Sequence, residues 1–323
     1  MSADLIEPQV RAPEVREAPP GIVDGLRLAW TRLKGRRLLE FGVVFLILSA
    51  VFSPTLLGLT KLAWNNELYS HMFLIPLVSL YFVGLRAGSL PLRFTTSWLP
   101  ALVCSVSGLA TLGTYALLTY RGWHPPPVDV LAGSMVVYLA FLGAAGFAFF
   151  GSATLRVLAF PCCMLLFLIP FPKVVEDSIE MFFQYSSAEA ANALFALTSL
   201  PVLRDGLMFK IPGITIRVAQ ECSGIRSSFV LFITSLIAGQ MFLRHSRLRV
   251  LLAFIVIPLG IVRNGIRILV IAWLCVEIGP HMIRSWIHTS GGPIFFALSL
   301  APFFAVLLYL IVRDKKTGPI AVN

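Results

Sequence analysis

The chain has 323 residues, of which 57% are hydrophobic and only 13% are charged. Soluble globular domains are typically about 45–50% apolar and about 25% charged, so this composition predicts a polytopic, all-α membrane protein. The net charge of +10 comes from basic residues at the ends of apolar runs rather than from one basic face with interleaved aromatics, which argues against a nucleic-acid partner.

The N-terminal region has no early apolar run and does not resemble a cleaved signal peptide. Its polar, proline-rich first half predicts a disordered tail over Met1–Pro20, and the second half predicts a juxtamembrane helix over Gly21–Glu40. We therefore divide the chain into a cytoplasmic N-terminus (1–40), a transmembrane domain (41–312) and a short cytoplasmic tail (313–323).

The transmembrane domain contains eight apolar runs, two of them short for a bilayer that needs about 20 helical residues. The predicted spans are Phe41–Thr60, His71–Leu85, Trp98–Tyr120, Val130–Phe150, Val157–Pro170, Gly224–Leu243, Val250–Ile278 and Pro293–Val312.

Basic residues in the connecting segments predict the orientation, because cytoplasmic loops carry an excess of Lys and Arg. Eight spans with both termini in the cytoplasm place the densest basic clusters on that side. These are Arg27, Arg32, Lys34, Arg36 and Arg37; Arg86 and Arg93; Arg156; Arg244, Arg247 and Arg249; and Arg313, Lys315 and Lys316.

The longest segment on the opposite, outer side lies between the fifth and sixth spans. Apolar residues at helical spacing over Val174–Leu197 predict an amphipathic helix at the membrane interface. Val202–Val218 alternates around Gly206 and Pro212–Gly213, which predicts a small hairpin on the outer surface.

The cysteine pattern singles out one thiol. Cys104, Cys162, Cys163 and Cys275 lie inside apolar runs, where a thiol behaves as a small hydrophobe, whereas Cys222 lies among polar residues. No Cys/His spacing is typical of a metal site or a disulfide framework, and we expect no cofactor.

Three polar clusters accompany the last three spans, two of them at span ends and one inside the seventh span. They are Ala219–Ser228, which contains Cys222, Arg263–Arg267, and His288–Gly292. The predicted orientation places Cys222 and His288 at the outer ends of their spans. Arg267 lies about 25 Å along the seventh span from its cytoplasmic start, at the same depth, because a helix rises 1.5 Å per residue.

Thiol, imidazole and guanidinium at one depth are the components of a cysteine acyl-transfer site. We predict that Cys222 is the nucleophile, that His288 accepts the thiol proton, and that Arg267 stabilises the thiolate or the oxyanion. The predicted supporting residues are Glu221, Arg226, Arg263, Asn264 and His71. His71 is also a rival base, and Arg263 is a rival to Arg267.

At these residues the chain resembles the exosortase/archaeosortase family of membrane cysteine transpeptidases. The resemblance covers Glu221–Arg226, Asn264–Arg267, the His288 cluster and an early signature at Glu67–Pro76, over roughly residues 40–312. It maps the catalytic Cys, Arg and His of the family onto Cys222, Arg267 and His288.

The resemblance implies a sorting enzyme of a bacterial inner membrane. Its substrates would be exported proteins with a C-terminal, PEP-CTERM-like signal: a short motif, a transmembrane helix and a basic tail. Cleavage near the motif would form a thioester that water or an amine acceptor resolves. Membrane lipid is the surrounding partner, and a lipid or glycan amine is an open choice of acceptor.

Two other classes of protein stay open at this stage. Intramembrane charge also suits a transporter or flippase that binds an anion, although no repeat or paired half-helix is visible. A non-catalytic scaffold for envelope polysaccharide assembly is the third possibility. Substitution of Cys222 discriminates them, because only a thiol enzyme would lose nearly all activity.

Overall fold

The computed structural model describes residues 22–33, 35–91, 93–198, 200–211, 214–218, 224–286 and 292–316. Most of them are helical, as predicted. The α-helices are α1 (Ile22–Leu33), α2 (Arg36–Val51), α3 (Ser53–Asn65), α4 (Ile75–Arg86), α5 (Trp98–Tyr120), α6 (Pro127–Phe149), α7 (Gly151–Val157), α8 (Ala159–Met164), α9 (Lys173–Phe195), α10 (Ile225–Phe242), α11 (Ser246–Glu277) and α12 (Gly292–Lys316). Short 3₁₀ helices cover Glu67–Phe73, Ala87–Ser89, Leu165–Leu168 and Pro280–Arg284.

Six helical segments are long and apolar enough to cross a membrane. They correspond to the predicted second, third, fourth, sixth, seventh and eighth spans. The predicted first and fifth spans fall on two bent helix pairs, α2 with α3 and α7 with the helix that follows it, whose members meet at 70° and 75°. The described part of the chain therefore has between six and eight candidate spans.

The chain divides into two compact units. The first contains the described residues up to Leu57 together with Met72–His124 and Gly133–Ile169. Within it, α1 packs on α4 at Gly25, where a Cβ would lie 2.8 Å from the carbonyl oxygen of Gly84. This contact requires a glycine on α1, because backbone meets backbone there.

The second unit contains Gly58–His71, Pro125–Ala132 and the described residues from Pro170 onward. The helix α11 is its centre and contacts α9, α10 and α12. Glycines allow two of these approaches, since a Cβ at Gly260 would lie 2.4 Å from the Ser228 Oγ, and one at Gly265 would lie 2.9 Å from the Ala190 Cβ. All candidate site residues that the structure describes belong to this unit.

The segment between the predicted fifth and sixth spans folds largely as predicted. The predicted amphipathic helix is α9, whose buried residues pack against α11. The predicted hairpin is an antiparallel sheet of three strands in the order β1 (Leu203–Asp205), β2 (Met208–Ile211) and β3 (Ile214–Arg217). Its apolar face joins a core with residues of α9 and α11, namely Ala188, Ala191, Phe195, Phe209, Ile211, Ile216, Val218, Ile268 and Ala272.

Candidate active site

The structure describes five of the eight predicted site residues, which are His71, Arg226, Arg263, Asn264 and Arg267. Glu221, Cys222 and His288 lie outside the described residues. The relation of the thiol to His288 therefore stays a prediction, and the described geometry concerns the groups on either side of the thiol in the chain.

The first described residue after Cys222 is Gly224, which begins α10 with a left-handed backbone (φ 75°). A Cβ at this position would lie 3.1 Å from Asn264 Cγ and 3.2 Å from Arg263 Nη2. Glycine is needed both for the positive φ and for this close approach. The polar part of α11 is thus packed directly against the turn that follows Cys222.

Arg263 binds this turn. Its Nη2 donates to the Gly224 carbonyl oxygen and to the Ser228 Oγ, both at 3.2 Å. The side chain is buried, with 5% of the residue exposed, and no described acidic side chain forms an ion pair with it. Burying a guanidinium without an ion-pair partner costs free energy. Arginines kept at such positions usually have a function, so we infer a role for Arg263 at the start of α10.

The Arg263 guanidinium also has a donor that no described residue satisfies. Its Nη1 is buried and has no hydrogen-bond partner among the described residues. Buried donors are nearly always satisfied in native proteins, so an exception marks a place where another group can bind. An anionic group beside the start of α10 would satisfy it.

Arg267 lies one helical turn after Arg263 on the same side of α11. With Asn264 it lines a small cavity of about 20 Å³, whose other walls come from α11 and the end of the sheet. This volume holds about one water molecule, so it is not a substrate pocket. The cavity does place Arg267 beside Arg217 and Val218, the residues that lead towards Cys222.

Arg226 forms an ion pair with a residue that was not predicted from the sequence. Arg226 Nη1 lies 2.6 Å from a carboxylate oxygen of Glu67, and both side chains are at least half exposed. An exposed ion pair of this kind contributes about 0–1 kcal/mol to stability. Its importance is positional, because it connects the segment that carries His71 with the first turn of α10.

His71 is buried and its ring is held from two sides. Its Nδ1 lies 3.0 Å from the Leu68 carbonyl oxygen, and the ring meets Phe229 of α10 edge to face at 4.9 Å. A carbonyl oxygen only accepts, so Nδ1 is the donor and the neutral ring has its acceptor at Nε2. This is the tautomer that a base acting through Nε2 requires.

A second contact fastens the same segment to α9. Tyr69 is almost fully buried and donates its hydroxyl to the carboxylate of Glu176 at 2.6 Å. No role was predicted from the sequence for Glu67, Tyr69 or Ser228, and Glu176 was expected on a solvated face or in attracting the acceptor or substrate, whereas its carboxylate is largely buried and binds Tyr69. Glu67 and Tyr69 lie inside the early signature, but their partners are 159 and 107 residues away along the chain, a separation at which periodicity gives no signal.

The comparisons with known proteins agree with these sequence features. The family model described as transmembrane exosortase (Exosortase_EpsH) matches residues 63–305. Neither a curated protein nor a solved structure matches the chain. The family match extends from the end of α3 into α12 and covers more than half of the sequence. The chain is therefore a multi-pass membrane protein that belongs to the exosortase family and has a membrane transpeptidase-type role.

Proposed function

We propose that the protein is a cysteine peptidase and transpeptidase that cleaves C-terminal, PEP-CTERM-like sorting signals of exported proteins. The observation that carries this proposal is the contact of Arg263 and Asn264 with Gly224. It places the polar part of α11 against the turn that begins two residues after Cys222, where a thiol enzyme needs its stabilising cations.

The chemistry proceeds in two steps. His288 takes the proton of Cys222, and the thiolate attacks the carbonyl carbon of the scissile peptide bond. The C–S bond forms, the C–N bond breaks, and the leaving amine receives the proton from the imidazolium. Water or an amine acceptor then attacks the thioester and releases the thiol.

The third catalytic residue is Arg267, and the supporting residues are Glu221, Arg226, Arg263, Asn264 and His71. Arg267 stabilises the thiolate or the oxyanion, and Arg263 holds the turn after the nucleophile. Glu221 and Arg226 flank Cys222 in the chain. His71, held in the tautomer with its acceptor at Nε2, is the rival to His288 as the base.

The proposed orientation follows from the distribution of basic residues, and the proposed membrane follows from the resemblance to exosortases. We place the protein in a bacterial inner membrane with both termini in the cytoplasm and the site at the outer face. The domain limits proposed from the sequence, 1–40, 41–312 and 313–323, accompany this orientation.

The test is cleavage of a tagged exported protein that carries such a signal and is encoded in the same genome. The two proteins are co-expressed, and the size of the substrate is compared between the parent enzyme, Cys222→Ala and Cys162→Ala. We expect loss of the tail with the parent and with Cys162→Ala, whose thiol lies in an apolar helix, and an intact substrate with Cys222→Ala. Equal cleavage by Cys222→Ala would exclude Cys222 as the nucleophile.

A further inference from the structure

The strand β3 has one edge that no described strand covers. It is the last strand of the sheet, and its only partner in the described part of the chain is β2. The pairing register shows which backbone groups lie on the open edge. The Val218 amide donates to the Leu207 carbonyl oxygen at 2.9 Å, which makes these two residues a hydrogen-bonded pair.

Hydrogen-bonded and non-hydrogen-bonded pairs alternate along an antiparallel ladder. The backbone groups of Ile214, Ile216 and Val218 therefore point to β2, and those of Thr215 and Arg217 point away from it. Both Thr215 and Arg217 are exposed, whereas Ile216 and Val218 are buried against the helices. As far as residues 214–218 and the other described segments show, this edge thus presents two amide donors and two carbonyl acceptors.

This edge is continuous with the proposed active site. Arg217 and Val218 line the same small cavity as Asn264 and Arg267, and the chain reaches Cys222 four residues after Val218. A polypeptide lying along β3 would pass beside Arg267, which is proposed to stabilise the oxyanion. An unpaired strand edge is a template for pairing with another extended chain.

We propose that the substrate binds as a fourth strand on the β3 edge, so that backbone hydrogen bonds to Thr215 and Arg217 hold its extended motif beside the catalytic groups. This inference rests on the proposed function, because it takes the occupant to be the segment next to the scissile bond. Backbone pairing fixes the path and register of that segment and leaves recognition of its side chains to neighbouring groups.

The first test removes one edge donor. Thr215→Pro deletes an amide that faces away from β2, so the internal ladder keeps its bonds. It is made in the Cys222→Ala background, and the amount of co-expressed tagged signal protein that co-purifies is measured. We expect about a tenfold loss of capture, the upper range for one backbone hydrogen bond, and a much smaller loss with Thr215→Val, which keeps the amide.

The matched control is Arg204→Pro. Arg204 lies opposite Phe209, whose backbone groups bond to β3. The backbone groups of Arg204 therefore have no partner on β2 and point outward, at the opposite edge of the sheet. Arg204→Ala corrects for the loss of the side-chain contacts of Arg204, which include an ion pair with Glu189 and a contact with the Phe209 ring. We expect Arg204→Pro to capture as much signal protein as Arg204→Ala.

A cysteine scan tests the proposal without disturbing the edge. Thr215→Cys in the Cys222→Ala background is oxidised with signal proteins that carry single cysteines along the motif. Side chains on paired strands alternate between the two faces of a sheet, so disulfides should form at the substrate position opposite Thr215, more weakly two positions away, and not at the positions between them. The scan decides the question if Thr215→Pro fails to fold.

The outcomes separate this inference from the proposed function. Three results would overturn the edge proposal, even where Cys222-dependent cleavage is observed. They are capture that Thr215→Pro does not reduce, no capture of signal protein by any variant, and disulfides without alternation. Capture that is sensitive to Thr215→Pro, from a substrate that the parent protein never cleaves, would support the edge site and refute the peptidase.

Discussion

At the scale of single residues, the clearest feature is a buried arginine that reaches from α11 to the start of α10, the preceding span. Arg263 donates to both Gly224 and Ser228 from the same nitrogen. Its planar guanidinium has a fixed geometry that a lysine ammonium does not reproduce. The arginine therefore sets the position of the turn after Cys222 rather than only adding charge.

This assignment predicts that Arg263→Lys lowers kcat for cleavage of the signal protein by about tenfold, because misplaced groups lose rate even when the charge is kept. The control is Arg247→Lys, an exposed arginine on the same helix, which should cleave at the parent rate. The measurement is kcat and KM in detergent, with the melting temperature recorded. A change in KM alone, with kcat kept, would contradict a positioning role.

Gly224 provides a second residue-scale prediction. Gly224→Ala places a Cβ against Asn264 at a positive φ, and the left-handed conformation alone costs a non-glycine residue about 1–2 kcal/mol. We expect a lower melting temperature and a loss of cleavage. Gly113→Ala, in the interior of α5 with no atom near the added Cβ, should not lower the melting temperature. Equal behaviour of the two variants would show that the turn tolerates a side chain.

At the scale of elements, three contacts hold the 3₁₀ segment Glu67–Phe73 in place. Tyr69 binds α9, and Glu67 and His71 each contact α10. The buried contact is the one between Tyr69 and Glu176. Removing one partner of a buried hydrogen bond to a charged group costs about 1–3 kcal/mol, because the other partner stays desolvated.

Tyr69→Phe is therefore expected to lower the melting temperature and to reduce cleavage by loosening the segment that carries His71. Tyr185→Phe is the control, since Tyr185 lies on the same α9 with half of its surface exposed. Thermal unfolding in detergent compares the two. If Tyr69→Phe unfolds at the same temperature as Tyr185→Phe, the contact does not hold the segment in place.

The elements also show where sequence patterns suffice. Helical spacing predicted α9 to within two residues at each end, because its apolar face packs continuously on α11. Turn residues predicted the hairpin but not the third strand, since strands of three or four residues give little periodic signal. The bend after Val51 was missed although Pro54, a residue typical of helix starts, follows it, and the bend after Val157 was missed because the predicted fifth span begins at that residue.

At the scale of the site, the meeting of Cys222, Arg267 and His288 stays a prediction, and the structure describes only the supporting residues around it. Arg263 and Asn264 were predicted to support the Cys222 region, and both contact Gly224. The partners of Arg226 and His71 depend on the packing of elements distant in the chain, which residue spacing does not encode. The match to the exosortase family confirms the resemblance seen in the motifs.

At the scale of the whole molecule, the basic clusters predict a topology that an experiment can check. Single cysteines introduced at Ala12 and Ala321 should be labelled by a membrane-impermeant reagent only after the inner membrane is permeabilised, because both termini are predicted to be cytoplasmic. The background for this experiment lacks Cys222. Labelling of either terminus in intact spheroplasts would contradict the orientation and the outer-face site that depends on it.

The central claim is that Cys222 forms a thioester with the new carboxyl end of the substrate. The most direct measurement is mass spectrometry of the enzyme after rapid quenching with a tagged signal protein, at a pH low enough to protect thioesters. We predict an adduct on the peptide that contains Cys222, with the mass of the substrate up to its cleavage site, released by hydroxylamine and absent from Cys222→Ser treated the same way. Cleavage that proceeds with the adduct on another residue, or with no adduct at any quench time, would contradict the account.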